Sequence, residues 1–112
     1  MKIAIPTANG QLCAHFGHCQ EFALINIDPG TRKIISKEEA IPPPHEPGVL
    51  PGWLKEAGVT TIICGGMGQR AQSFFQQYGI EVMVGVNPDS PEKIVENYMD
   101  GTLVAGENVC DH

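Results

Sequence analysis

Pro42, Pro43, Pro44 and Pro47, followed by Gly48, stand near the middle of the chain and forbid regular structure there. Each proline removes a backbone donor and holds its predecessor in an extended conformation. The sequence therefore reads as two runs of regular structure joined by a stiff loop, and that loop displays His45.

Before the loop, Lys2 to Pro6 alternates Ile3 and Ile5 with smaller residues and predicts a short strand, ended by Thr7-Ala8-Asn9-Gly10 as a turn. Residues Gln11 to Gln20 show no clear period. Glu21 to Asp28 is apolar at nearly every position and stops at Pro29-Gly30, a tight turn into Lys33 to Glu39. These two strands should pair as an antiparallel hairpin. After the loop the pattern changes. Leu50 to Ala57 reads as a short helix closed by Gly58, and β-branched Thr60 to Cys64 as a strand entering Gly65-Gly66-Met67-Gly68. Within Gln69 to Tyr78, the residues Ala71, Phe74, Phe75 and Tyr78 fall on one helical stripe that Gly79 stops. Glu81 to Val86 reads as a strand, and Ser90-Pro91-Glu92 opens a last helix that runs to Met99 and ends at Gly101.

Strand–helix–strand units need parallel pairing and right-handed crossovers. The order β, β, β, α, β, α, β, α thus predicts an α/β fold in which a mixed sheet carries helices on its faces. At 112 residues the chain is expected to form a single domain, residues 1–112, with one core that needs no disulfide or metal as a staple.

Seven Lys and Arg stand against 13 Asp and Glu, a net charge of -6 that repels phosphodiester backbones and anionic membrane surfaces. Neither nucleic acid nor membrane is an expected partner. The apolar stretch broken by Pro6 is too short for a signal-peptide core, and no later segment approaches a membrane span. A cytoplasmic location is expected, where Cys13, Cys19, Cys64 and Cys110 stay reduced and become candidates for metal ligation, redox chemistry or simple burial.

Two stretches carry chemistry. In Cys13-Ala14-His15-Phe16-Gly17-His18-Cys19, four soft or borderline ligands occupy one short loop that Gly17 allows to turn sharply. Thiolate and imidazole together suit zinc, copper or an iron–sulfur species. The spacing fits neither a zinc finger nor a ferredoxin run, since no CxxC pair occurs. The competing structural reading makes Cys13 a small buried hydrophobe, Phe16 an anchor in the core and one histidine a cap on a backbone carbonyl.

The second stretch, Cys64-Gly65-Gly66-Met67-Gly68, sits at a strand-to-helix junction where amide groups and the helix dipole favour an anion. Gly66 to Ala71 also satisfies GxGxxA, although Asp89 is the only approximate match to the acidic residue that a dinucleotide site requires. Close packing of helix on strand is the plainer account of the glycines. Met67, Met83, Met99 and Trp53 read first as core filling. His45 and the terminal Cys110-Asp111-His112 complete the Cys and His inventory. There is no GxSxG elbow, no HExxH and no converging carboxylate pair, so hydrolytic chemistry has no visible basis.

MKIAIPT at the N-terminus, the AHFGHC loop, the PPHEPG central loop, TTIICGGMG before a helix and a short Cys-containing tail together resemble the dinitrogenase iron-molybdenum cofactor biosynthesis family, whose members include NifX- and NafY-like proteins and the C-terminal region of NifB. The resemblance covers essentially the whole chain. It implies a ribonuclease H-like motif with a five-stranded mixed sheet flanked by helices. It also implies binding and carriage of an iron–sulfur or iron–molybdenum-type cluster, exchanged with donor and acceptor proteins, and no catalysis. On this reading His15, His18, Cys19, Cys13 and His45 are the candidate metal contacts. Phe16, Gly17, Cys64, Gly65, Gly66, Met67, Gly68 and Arg70 would line the cargo. Such clusters are anionic, so a protein of net charge -6 needs local compensation from the amides after Cys64, from Arg70 and from protonated histidines. The alternative is a nucleotide- or anion-binding regulatory module built on Gly65 to Gly68. A ribonuclease H-like nuclease is disfavoured, since the first strand has no carboxylate to hold Mg²⁺.

Overall fold

β1 (Lys2–Ala8) is apolar on both faces, with Ile3, Ala4 and Ile5 fully buried, and such a strand is stable only in the middle of a covered sheet. It takes that place in the computed structural model, which describes residues 1–13, 20–42, 49–103 and 106. The remaining elements are β2 (Gln11–Leu12), β3 (Glu21–Ile27), β4 (Ile34–Ala40), α1 (Val49–Glu56), β5 (Thr61–Ile63), α2 (Gln69–Gln77), β6 (Glu81–Met83) and α3 (Pro91–Asp100).

The sheet runs β4-β3-β1-β5-β6, with β2 paired to β1 off that path. β3 and β4 form the expected hairpin, antiparallel to each other, and β3 is antiparallel to β1. β5 lies parallel to β1 and β6 parallel to β5, as the strand–helix units require. The five-stranded expectation thus becomes six. β2 is the addition, formed because Asn9 (φ 56°) and Gly10 (φ 81°) turn the chain back so that Leu12 pairs with Thr7. Both central turn residues have positive φ, the requirement of a tight two-residue hairpin.

Side chains alternate between two cores. Ala4, Phe22, Leu24 and Ile62 face one layer that includes Leu50 and Leu54 of α1 and Phe75 of α2. Ile3, Ile5, Ile25 and Ile63 face the other, closed by Ile94 and Val95 of α3. Trp53 packs edge-on against Phe22 at 5.7 Å between ring centres, the packing role expected of it. On α2 only Phe75 of the anticipated stripe is fully buried, and Tyr78 caps the helix with 38% of its surface exposed. Ser90 caps α3 by accepting from the Lys93 amide, Pro91 occupies the first turn, and Gly101 (φ 76°) closes the helix. β6 stops at Met83, short of the expected Val86, because Gly85 turns the chain at φ 79°. Among the described residues no helix is long and apolar enough to cross a membrane.

Candidate functional site

Strand direction decides where the connections go. The carboxyl ends of β1, β5 and β6 lie at one end of the sheet, together with the start of β3 and the finish of β4, since Thr7 pairs with Glu21 and Phe22 with Ala40. The Cys13 to Gln20 loop, the proline loop after β4, the Cys64 to Gly68 junction and the turn after β6 therefore all leave from that end.

Pro6 shapes the first of these. Its carbonyl accepts the Cys13 amide at 2.8 Å, while the next carbonyl, Thr7, accepts the Gln20 amide at 2.9 Å. Consecutive carbonyls of a strand point to opposite sides, so the two ends of the loop are tied on either side of β1. Pro6 has no N–H to offer on the side that faces β5. The β1–β5 ladder consequently ends at the Ala4–Ile62 pair, and β5 is released into the glycine junction. Cys13 is buried at the root of the loop. His15, Phe16, Gly17, His18 and Cys19, like His45 and the Cys110-Asp111-His112 tail, lie outside the described residues.

At the junction, Cys64 and Met67 are fully buried in the core layer under α1 and α2. The Cys64 amide donates to the Met83 carbonyl at 2.9 Å, and the Gln72 side chain donates to the Met67 carbonyl at 2.9 Å. Gly65 and Gly66 are buried backbone, and Arg70 is exposed in the first turn of α2. Gly68 is the N-cap of α2 at φ -65°, a conformation open to any residue, and a Cβ built there meets nothing within 4 Å. Close packing therefore does not account for this glycine. It leaves the helix N-terminus bare, the geometry that lets an anion approach backbone amides.

Sequence reasoning did not anticipate a second connection at this end. The Gly85 amide donates to the Gly65 carbonyl at 2.7 Å, and the Gly106 amide donates to the Gly85 carbonyl at 2.7 Å. The chain beyond α3 is thereby brought to the glycine junction before the Cys110 tail begins. Gly85 is demanded twice: φ is 79°, and an added Cβ would land on the Gly106 backbone. No periodicity marks such a stitch, although a glycine just after a short strand is the one available signal.

Two features bear on what the end can hold. A cleft of about 120 Å³ beside Gln20 is lined by Thr7, Glu21 and Glu39, and its two carboxylates disfavour an anion. Asp89, the residue that a dinucleotide site would use, instead accepts the Ser90 amide at 2.8 Å on its carboxylate. Among the described residues no three His, Cys, Asp or Glu side chains converge as a metal site.

The family model described as Dinitrogenase iron-molybdenum cofactor matches residues 1–101. The uncharacterized protein MJ0580 of Methanocaldococcus jannaschii is 34% identical over 106 residues, 92% of this chain and 89% of that protein. The crystal structure of PH0822 superposes with a TM-score of 0.84 at 26% identity, over 95% of this chain and 96% of that one. The apo form of the orange protein from Desulfovibrio gigas shares the fold at a TM-score of 0.74 and 20% identity, over 96% of this chain and 93% of that one.

Proposed function

Because the chain belongs to the dinitrogenase iron-molybdenum cofactor family, we propose that it binds an iron–sulfur or iron–molybdenum-type cluster as cargo and carries it between a donor and an acceptor protein. The observation that carries this reading is the convergence at one end of the sheet of the loop rooted at Cys13 and the bare junction at Gly68. In this proposal His15, His18 and Cys19 are the principal contacts, with Cys13 and His45 beside them. Phe16, Gly17, Cys64, Gly65, Gly66, Met67, Gly68 and Arg70 form the surround. Thiolate and imidazole suit an iron–sulfur species, and backbone amides at a helix N-terminus suit its negative charge.

Carriage, as opposed to catalysis, asks for few fixed ligands. A closed cage of four protein ligands holds its metal as structure, whereas a site with one or two exchanges with its neighbours. The alternative, a nucleotide or anion module on Gly65 to Gly68, shares the bare helix end, and its approximate acidic match, Asp89, accepts the Ser90 amide on one carboxylate oxygen.

Anaerobic iron–sulfur reconstitution of the parent, His15→Ala and Cys19→Ala, followed by iron and sulfide analysis and visible spectra, tests the reading. The parent is expected to take up a stoichiometric cluster and both variants to lose it. A cluster indifferent to both substitutions, or none at all, would overturn it. Nucleotide binding insensitive to His15→Ala would favour the alternative.

A further inference from the structure

Just beyond β5, two successive carbonyls turn the same way. The Cys64 carbonyl accepts the Val86 amide at 3.3 Å and the Gly65 carbonyl accepts the Gly85 amide at 2.7 Å, so both point toward the chain that continues β6. Consecutive carbonyls of a regular strand point to opposite sides, and the bend at Gly65 breaks that alternation. In a trans peptide unit the N–H points opposite to the C=O. The amides of Gly65 and Gly66 therefore both face away from β6, toward β1, which lies on the other side of β5.

β1 offers them no acceptor. Two residues beyond the Ala4–Ile62 pair, a continued parallel ladder would bring the Gly65 amide to the Pro6 carbonyl. That carbonyl accepts the Cys13 amide instead, at 2.8 Å, because β2 and the root of the Cys13 to Gln20 loop take the place beside β1 that β5 gives up. Gly65 and Gly66 are buried, and among the described residues neither amide donates a hydrogen bond. Buried backbone donors almost always have a partner. Successive amides aimed to one side form a concavity in which backbone holds an anion. These two precede α2 and are distinct from the amides of its N-terminus, which opens at Gly68.

We infer that the Gly65 and Gly66 amides are the anion contact of the site, donating to a sulfide of the cluster whose metal ions are ligated from the loop rooted at Cys13. The inference rests on the cargo reading and deepens it. The junction supplies no metal ligand; it supplies N–H donors on the side from which the loop approaches. Gly85 thereby gains a positioning role, since its amide keeps the Gly65 carbonyl turned to β6 and so fixes where the Gly66 amide points.

Replacing the Gly66 amide by an ester deletes one donor and adds no side chain. The full chain carrying that ester is assembled by joining residues 1–63 to a synthetic segment 64–112 at Cys64. Parent and ester are compared for uptake of a synthetic iron–sulfur thiolate dianion and for the reduction potential of the bound cluster, with circular dichroism to show that both fold. Uptake should weaken about tenfold. The potential should become more negative, because a hydrogen bond to cluster sulfur stabilises the more negative, reduced state. In the parent, labelled isotopically at glycine nitrogen, uptake should shift or broaden the Gly65 and Gly66 amide resonances. Those of Gly58 and Gly79, which precede β5 and β6 at the opposite end of the sheet, should stay in place. A parent that takes up cluster while the ester matches it in affinity and potential, or while its Gly65 and Gly66 resonances stay in place, would overturn the inference and leave the cargo reading standing. A parent that takes up none would overturn both. Titration with inorganic phosphate separates the sources of negative charge. Phosphate that moves the same two resonances where the dianion does not would assign these amides to a free oxyanion and overturn the sulfide assignment.

Discussion

At Gly68 a side chain would stand in open space at φ -65°, whereas at Gly85 it would strike the Gly106 backbone at φ 79°. The two glycines answer to different demands, one to approach from outside and one to the fold itself. Gly85→Ala combines a left-handed conformation with a backbone collision and should lose about 1–3 kcal/mol of unfolding free energy in urea titration. An unchanged midpoint would mean that the Gly106 stitch contributes nothing to the fold. Gly68→Asp should do the reverse. A carboxylate at the N-cap of α2 accepts orphan amides and complements the helix dipole, adding a few tenths to about 1 kcal/mol and raising the melting temperature. The same carboxylate stands where an anionic cluster would arrive, so uptake should fall about tenfold. A protein that gained stability and kept its uptake would remove the junction from the proposed site.

Among the elements, α3 is tied to β6 by the Tyr98 hydroxyl, which donates to the Glu81 carboxylate at 3.1 Å. Burial first, and the Glu81 hydrogen bond and charge next, raise the Tyr98 pKa above its ordinary 10.0. A group whose pKa is higher folded than unfolded contributes stability fully below its unfolded pKa and loses it as pH rises through the folded one. Tyr98→Phe should therefore be less stable than the parent by about 0.5 kcal/mol near neutrality, and the gap should close above pH 10. A gap constant to strongly alkaline pH would show that the hydroxyl makes no difference to the fold. The elements themselves were largely legible in the sequence, because their limits are set by local chemistry: Pro29-Gly30 between β3 and β4, the Ser90 cap, and Gly58, Gly79 and Gly101, all with positive φ. β2 escaped because two residues have no period to read, although Asn9-Gly10 is the dipeptide that a tight hairpin favours. Of the candidate site, residue types and loops were visible as motifs. The Gly65–Gly85–Gly106 stitch was not, since it joins three distant glycines through backbone alone and no side chain announces it.

For the whole molecule, a net charge of -6 opposes the arrival of an anionic cluster even where local donors favour its retention. Which effect governs uptake depends on distance. Screening lengths are about 30 Å at 0.01 M salt and about 8 Å at 0.15 M, and the molecule measures 36 × 28 × 26 Å. At low salt a cluster therefore meets the field of the entire protein, while at physiological salt it meets only what lies nearest the strand ends. If the cargo proposal holds, the second-order rate of uptake from a synthetic iron–sulfur thiolate dianion should rise between these two ionic strengths, the opposite of an electrostatically steered encounter. Arg70→Glu adds a second test. Arg70 is exposed at the start of α2 and, among the described residues, joins no ion pair, so its reversal should slow uptake at both salt concentrations while the unfolding midpoint stays or rises slightly, a carboxylate in the first turn complementing the helix dipole. A rate that fell with salt would mean that positive charge near the entrance outweighs the net charge, and a rate indifferent to Arg70→Glu would place that entrance away from α2.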